Sequence, residues 1–214
     1  EALDGLRTKH REPEALLDDL EAETYRALAE GFSTNLVVHA FAHTARAVGI
    51  ERDIIEPFFT SMRMDLHQRE HDQKSFDTYV YGSAEVVGLM CLKAFVSGRD
   101  YSATEHQTMV AGARALGAAF QKVNFLRDLA ADFKKLGRSY FPNVTVASFN
   151  EAQKAELIAD IEADLLVSAK TLPLLTPSSR KAVAAAQMFF AALNERIRNT
   201  SAEKLIETRI SVPN

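Results

Sequence analysis

The sequence lacks the features that are typical of secreted, membrane-spanning and nucleic-acid-binding proteins. It contains one cysteine and no tryptophan in 214 residues. Because Cys91 has no partner within the chain and lies in an apolar run, we expect a reducing, cytoplasmic compartment and a buried thiol. No apolar run reaches about 18 residues and the opening residues do not form a signal peptide, so neither a spanning helix nor export is predicted. A net charge of −4 disfavours a nucleic-acid surface.

The remaining composition and patterning predict an all-α protein. Hydrophobic residues make up 47% of the chain, enough for a sizeable core. Segments with alternating polar and apolar residues are absent, whereas several helical patterns begin near proline or asparagine and end at glycine. No repeat or low-complexity linker interrupts them. We therefore expect residues 1–214 to form a single helical domain.

The fifth predicted helix, 103–137, carries a polar stripe on one side. At 100° per residue, Gln121, Asn124, Asp128 and Asp132 lie within about 80° of one another. The other side is apolar and includes Val123, Leu126, Leu129, Ala130 and Phe133. Carboxylate and amide oxygens without histidine or cysteine favour Mg²⁺ over zinc, and Mg²⁺ bound by few protein ligands keeps positions for phosphate oxygens.

Two aspartates four residues apart are by themselves common on solvated helix faces. Here they are followed within a few residues by the sequence Gly-Arg-Ser-Tyr-Phe-Pro. Arg127 and Arg138 then become candidate contacts for a diphosphate, because guanidinium groups bind phosphate oxygens in a bidentate manner.

The stretch GAAFQKVNFLRDLAADFKKLGRSYFP resembles the second aspartate-rich signature of the squalene and phytoene synthases, the head-to-head prenyl-condensing enzymes. The matching positions are Gln121, Asn124, Arg127, Asp128, Asp132, Gly137, Arg138, Tyr140 and Pro142. The resemblance covers nearly the whole chain and implies an isoprenoid-synthase-type helical bundle around a central cavity.

The same family has a first aspartate-rich motif on an N-terminal helix. The resemblance aligns Glu1 and Asp4 with the second and fifth positions of this motif. It thereby implies that Asp4 is a metal ligand together with Asp128, Asp132 and Asn124. Without the resemblance, Asp4 would be an ordinary polar residue. We accordingly expect the chain to lack the first aspartate of that motif, the N-terminal helices and the C-terminal end. Catalysis is therefore expected of the complete protein, and the activity of the chain as it stands is left open.

The segment DTYVYGSAEVVGLM is similar to a further signature of the family. An α-helical projection places Tyr79, Gly82, Ser83 and Val86 on one side, with Glu85 opposite and therefore paired with a basic residue. The resemblance implies a cavity wall that contacts substrate, with Tyr79 beside the reacting carbons. Tight helix packing around the glycines is the alternative, and both can hold together. Asp65 and Arg209 are weaker candidates on the same grounds.

The resemblance implies a Mg²⁺-dependent prenyltransferase, with Mn²⁺ as an alternative ion and no nicotinamide cofactor. Asp128, Asp132 and Tyr79 would be catalytic, and Gln121, Asn124, Arg127, Arg138 and Tyr140 would bind substrate. The first candidate reaction is the phytoene synthase reaction of carotenoid biosynthesis, in which two geranylgeranyl diphosphates join through a cyclopropyl diphosphate intermediate.

Two alternatives stay open. One is a squalene or dehydrosqualene synthase that uses farnesyl diphosphate, and the other is a non-catalytic assembly factor that keeps the fold. The expected partners are prenyl diphosphates and no nucleic acid, with peripheral contact at the inner membrane surface for release of a hydrocarbon product. The sequence decides neither substrate chain length nor oligomeric state.

Overall fold

The protein is described by a computed structural model that covers residues 11–132, 137–145 and 147–211. Within these ranges the chain is helical and contains no strand, only an isolated bridge between Glu70 and Ser139. This confirms the predicted all-α class. The helices are α1 Pro13–Glu30, α2 Leu36–Val48, α3 Arg52–His67, α4 Gln73–Val80, α5 Val86–Val96, α6 Ala103–Ala131, α7 Glu151–Ala169, α8 Pro177–Arg198 and α9 Ala202–Leu205.

Helix α6 is the central element of the bundle. Its start is fixed by a capping box, in which the Ser102 hydroxyl accepts from the Glu105 amide and the Glu105 carboxylate accepts from the Ser102 amide. The helix has 29 residues and packs against α5, α7, α8 and α9. Its length of about 44 Å at 1.5 Å per residue lets one helix contribute to both the core and the site.

The apolar side predicted for this helix is buried. Val123 and Leu126 are fully buried, and Leu129 and Ala130 are 5% and 4% exposed. Val123, Leu126 and Leu129 belong to the largest hydrophobic cluster, which also takes side chains from α4, α7, α8 and α9. Phe133, which was assigned to the same side, lies outside the described residues.

Helices α4 and α5 form one continuous helical segment through a π-helical turn at Tyr81–Glu85. By length and composition alone, Gln73–Val96 is apolar enough to cross a bilayer, although no single apolar run in it is that long. The segment packs against α3 and α6, and 28% of its apolar window is buried in the structure.

Glycines allow this segment to approach its neighbours closely. A Cβ atom on Gly82 would lie 2.1 Å from the carbonyl oxygen of Pro57, which is inside α3, and one on Gly88 would lie 2.3 Å from the carbonyl oxygen of Ala113. No side chain fits at either position. Tight helix packing, one of the two explanations for the mid-helix glycines, is therefore confirmed.

Candidate functional site

The polar stripe lies at the C-terminal end of α6, and Asp128 is its most constrained member. Arg127 donates from Nε to both carboxylate oxygens at 3.1 Å and also pairs with Asp128 through Nη2. Arg209, from the segment after α9, donates from Nε to Asp128 Oδ1 at 2.6 Å. Burial opposes ionisation of this carboxyl group, but the hydrogen bonds from the two arginines outweigh it and lower the pKa of Asp128. Asp128 is therefore a carboxylate held between two cations.

Asp132 follows α6 directly and has the opposite electrostatic character. Burial and the charge of Asp128, partly offset by Arg138 and Arg127, raise the pKa of Asp132 to about 6. The two carboxylates repel each other because they project from the same side of successive turns. A cation between them would relieve this repulsion.

Asn124 and Gln121 continue the stripe toward the interior. The Asn124 Oδ1 atom is buried and has no hydrogen-bond partner. A buried carbonyl oxygen without a donor is costly, and such atoms call for a ligand, an ion or a water molecule. Gln121, one turn earlier, lines an apolar cavity. The stripe thus runs from a charged end to an apolar one.

A second polar cluster forms around Asp65 near the end of α3. The Tyr79 hydroxyl lies 3.0 Å from each Asp65 carboxylate oxygen, and the Tyr140 hydroxyl lies 3.4 Å from Oδ1. Arg138 Nη2 donates to the Asp65 backbone carbonyl at 2.6 Å, and its Nη1 lies 3.9 Å from the carboxylate. Burial raises the pKa of Asp65, and burial together with the Asp65 charge raises the pKa of both tyrosines. The structure thus brings Tyr79, Tyr140 and Arg138 together.

Aromatic stacking holds this cluster in place. The Tyr140 ring stacks on Phe125 with centroids 4.2 Å apart, and the His71 ring lies 5.7 Å from that of Tyr140 and 5.3 Å from that of Tyr79. Burial lowers the pKa of His71, whose Nδ1 is also without a hydrogen-bond partner. His71 carried no motif in the sequence, and only its tertiary position reveals it.

An apolar cavity of about 400 Å³ lies between α5, α6, α7 and α8, which is within the size range of small-molecule sites. Its lining is almost entirely apolar or small: Ser83, Ala84, Val87, Gly88, Cys91, Leu92, Phe95, Gly112, Ala113, Leu116, Gly117, Phe120, Gln121, Ser168, Thr171, Leu175, Ala182, Val183 and Ala186. On α6, the lining residues Ala113, Gly117 and Gln121 lie on the same side as Asn124 and Asp128. The cavity therefore continues the polar stripe along one side of α6.

The structure separates the residues that helical projection had grouped on α4 and α5. Ser83 lines the cavity with its hydroxyl buried and unpaired. Gly82 instead faces α3, and Val86 is fully buried outside the cavity lining. Tyr79, 4% exposed, directs its hydroxyl to Asp65. Tyr79, Gly82 and Val86 are not among the residues that line the cavity, and their contacts with substrate stay predictions.

The π-helical turn explains this separation. A π turn carries one more residue than an α turn, so residues after Tyr81 are rotated relative to an α-helical projection. Such turns are frequent at functional sites. Glu85 was expected to pair with a basic residue, and this is confirmed because Arg114 Nε donates to its Oε2 at 2.6 Å.

The expectation of a buried thiol is wrong. Cys91 is exposed and belongs to the wall of the cavity. The apolar run indicated burial, and the adjacent Leu92 is indeed buried, but the Cys91 side chain itself remains exposed at the cavity wall.

The donors of the polar stripe fit a hard cation. Within the described ranges, no three histidine, cysteine, aspartate or glutamate side chains come together as a metal site. Asp128, Asp132 and the unpartnered oxygen of Asn124 supply only oxygen ligands, the set that Mg²⁺ or Mn²⁺ prefers. Asp4, the remaining predicted ligand, lies outside the described residues.

The structure is a helical bundle with a mostly apolar cavity next to an aspartate and arginine face, which is the arrangement that the resemblance to prenyl-condensing enzymes implies. Comparison with known proteins makes this specific. The profile of the Squalene/phytoene synthase family matches residues 2–214, and the chain belongs to this family, whose members are prenyltransferases.

Curated relatives are phytoene synthases. The chain is 32% identical over 165 residues to the bifunctional lycopene cyclase/phytoene synthase of Phycomyces blakesleeanus, which covers 67% of this chain and 27% of that protein. It is 30% identical over 145 residues to the chloroplastic phytoene synthase of Daucus carota, covering 66% of this chain and 35% of the relative. The chain thus spans about a third or less of the length of these relatives.

A solved structure shows the same fold. The crystal structure of squalene synthase HpnC from Alicyclobacillus acidocaldarius superimposes with a TM-score of 0.77, covering 96% of this chain and 80% of that one. At 18% identity, this likeness supports the fold alone. It confirms the isoprenoid-synthase-type bundle expected from the sequence.

Proposed function

We propose that the protein is a phytoene synthase of carotenoid biosynthesis. It would join two geranylgeranyl diphosphates head to head, through a cyclopropyl diphosphate intermediate. The observation that carries the proposal is the continuity of the charged stripe at Asp128 and Asp132 with the apolar cavity of about 400 Å³. A prenyl diphosphate has the same division into a charged head and an apolar chain.

Arginines near the stripe are suited to bind the diphosphate. Arg127 and Arg209 are engaged by Asp128, and Arg138 lies between Asp65 and Asp132. A diphosphate would compete for these guanidinium groups, which bind phosphate oxygens strongly in partly buried sites. Asp128, Asp132 and Asn124 are the residues that would hold Mg²⁺ or Mn²⁺, and a bound cation neutralises the charge that develops on the leaving diphosphate.

The cavity would protect a reactive carbocation. Its wall offers few polar groups, mainly Ser83, Gln121, Ser168 and Thr171, so little water would be held against the prenyl chain. Exclusion of water prevents quenching of the cation before the second substrate reacts. The phytoene synthase relatives, which match over about two thirds of the chain, favour the longer substrate and a reaction without reductant.

The test is product analysis with the protein expressed from its complete reading frame. Geranylgeranyl or farnesyl diphosphate would be supplied with Mg²⁺ and without NADPH. We expect phytoene from the longer substrate and no product from Asp128→Asn. Asp100→Asn, an exposed aspartate in the loop before α6, is the matched control and should retain activity.

Other outcomes distinguish the alternatives. A C30 product from farnesyl diphosphate would keep the chemistry and assign a squalene or dehydrosqualene synthase. No product from either substrate, with wild type and Asp128→Asn alike, would contradict an enzymatic role and favour an assembly factor.

A further inference from the structure

Asp65 connects two parts of the site that are distant in sequence. It comes from α3, whereas Tyr79 comes from α4 and Arg138 from the loop after α6. Both Asp65 carboxylate oxygens lie 3.0 Å from the Tyr79 hydroxyl, and the Asp65 backbone carbonyl accepts from Arg138 at 2.6 Å. One residue therefore fixes the tyrosine and an arginine of the proposed diphosphate site.

The direction of the hydrogen bond has a chemical consequence. A phenol has one hydrogen to donate, and a carboxylate can only accept. The Tyr79 hydrogen is therefore committed to Asp65, which leaves the lone pairs of the tyrosine oxygen available to another group. Tyr79 in this arrangement is suited to accept a proton rather than to supply one.

We propose that Asp65 is a positioning residue for the condensation: it holds the Tyr79 hydrogen, so that the tyrosine oxygen can accept a proton from the reacting carbons. This inference rests on the proposed function, because it assigns the two residues to a step of that reaction. It also gives a role to a partly buried aspartate that metal and diphosphate binding leave unused.

The proton transfer balances without a further reactant. After the first prenyl cation has bonded to the double bond of the second substrate, the resulting carbocation loses a proton. The electrons of the broken C–H bond form the closing C–C bond of the cyclopropane ring. That proton goes to the Tyr79 oxygen as the tyrosine hydrogen passes to Asp65, so that the carbocation and the carboxylate both become neutral.

A double-mutant cycle with Asp65→Asn and Tyr79→Phe tests the coupling. Asparagine keeps the size of the side chain but loses the charged acceptor. We expect each single variant to lower kcat by about 100-fold, the range of a lost proton-transfer group, with KM changed by less than about threefold. Because both residues act at one step, the kcat of the double variant should lie within about threefold of the kcat of the slower single variant.

Two further variants separate this role from a structural one. Asp65→Glu keeps the acceptor and should recover part of the lost kcat. Asp77→Asn removes an exposed aspartate two residues from Tyr79 and should leave kcat unchanged. Fully additive losses in the cycle, or an unchanged kcat in Asp65→Asn, would overturn the proposal.

A spectroscopic measurement tests the same pair without turnover. With ¹³Cζ-labelled tyrosine, the Tyr79 resonance is assigned by its absence in Tyr79→Phe and followed against pH. Tyr79 is faced by Asp65 from α3, by Tyr140 from the loop after α6 and by His71 from the turn before α4, and the Asp65 backbone carbonyl in turn accepts from Arg138. Since burial and the Asp65 charge both raise the pKa of Tyr79, Asp65→Asn should shift its resonance and start its ionisation at lower pH.

The kinetic and NMR measurements together distinguish a failure of the proposed function from a failure of the inference on Asp65. If the wild-type protein forms no product but the Tyr79 resonance responds to Asp65→Asn, the proposed function fails while the pairing stands. If the wild type forms phytoene but neither the resonance nor kcat responds to Asp65→Asn, the inference on Asp65 is wrong and the proposed function remains.

Discussion

Asp132 offers a test of the site that needs no substrate. Burial and the charge of Asp128 raise its pKa to about 6, so at pH 7 the folded protein holds an unfavourable carboxylate. In the unfolded chain the same group has a pKa of about 3.9 and ionises at no cost. Asp132→Asn removes the charge and keeps the shape, and it should therefore stabilise the metal-free protein.

The expected gain follows from the shift. A rise of the Asp132 pKa from about 4 to about 6 corresponds to about 3 kcal/mol, and screening by solvent at this partly exposed group reduces it to about 1–2 kcal/mol. A folded pKa above the unfolded value favours folding at low pH, and this advantage is lost as the pH rises through 4 to 6. The gain from Asp132→Asn should therefore be present at pH 7 and shrink to about 0.5 kcal/mol or less at pH 4.

Urea unfolding in EDTA at the two pH values measures this difference. Asp128→Asn is the internal contrast, because the arginine bonds lower the pKa of Asp128 and its loss should destabilise the protein at pH 7. Both variants should lose turnover, so that only Asp132→Asn combines greater stability with lost activity. A lower stability of Asp132→Asn than of wild type at pH 7, or an equal gain at pH 4, would refute a raised pKa of Asp132 in the folded protein.

Three further substitutions test the packing and charge around the site. Gly82→Ala should lower the free energy of unfolding by about 1–3 kcal/mol in urea, because its Cβ would lie 2.1 Å from the Pro57 carbonyl oxygen; an unchanged midpoint would contradict this contact. Lys122→Met should cost about 2–3 kcal/mol, since Nζ lies 2.8 Å from the half-buried Asp164, and restoring stability by a second change of Asp164 to Leu would confirm the pairing. Arg209→Gln should raise KM for the prenyl diphosphate by about tenfold with a smaller effect on stability, and an unchanged KM would exclude Arg209 from substrate binding.

The side of α6 that carries the stripe could be predicted from the sequence because this helix is regular over 29 residues. Each residue then turns by 100°, and both the buried apolar side and the polar side follow from position alone. Val123 and Leu126 are fully buried, as predicted. The class of fold could be predicted for the same reason, since helical periodicity dominates the chain.

The same projection failed between Tyr79 and Val86 because the helix is not regular there. The π-helical turn at Tyr81–Glu85 carries one more residue than an α turn, so the side chains after it depart from an α-helical projection. Ser83 lines the cavity, whereas Gly82 meets Pro57. A single sequence carries no clear signal for such a turn. Cys91 was misassigned for a related reason, since an apolar run indicates burial but does not distinguish a core from a cavity wall.

The charged contacts of the site depend on tertiary structure more than the faces of the helices do. Asp128 meets Arg209, 81 residues later, and Asp65 meets Arg138, 73 residues later. No local pattern pairs such residues, although each lies in a stretch that resembles the family. The consequence is that arginines from two segments neutralise Asp128, while burial and the neighbouring Asp128 charge keep the pKa of Asp132 raised. Two aspartates that look equivalent in the sequence therefore differ in charge state near pH 6, and a cation should raise the stability of the folded protein chiefly by relieving Asp132.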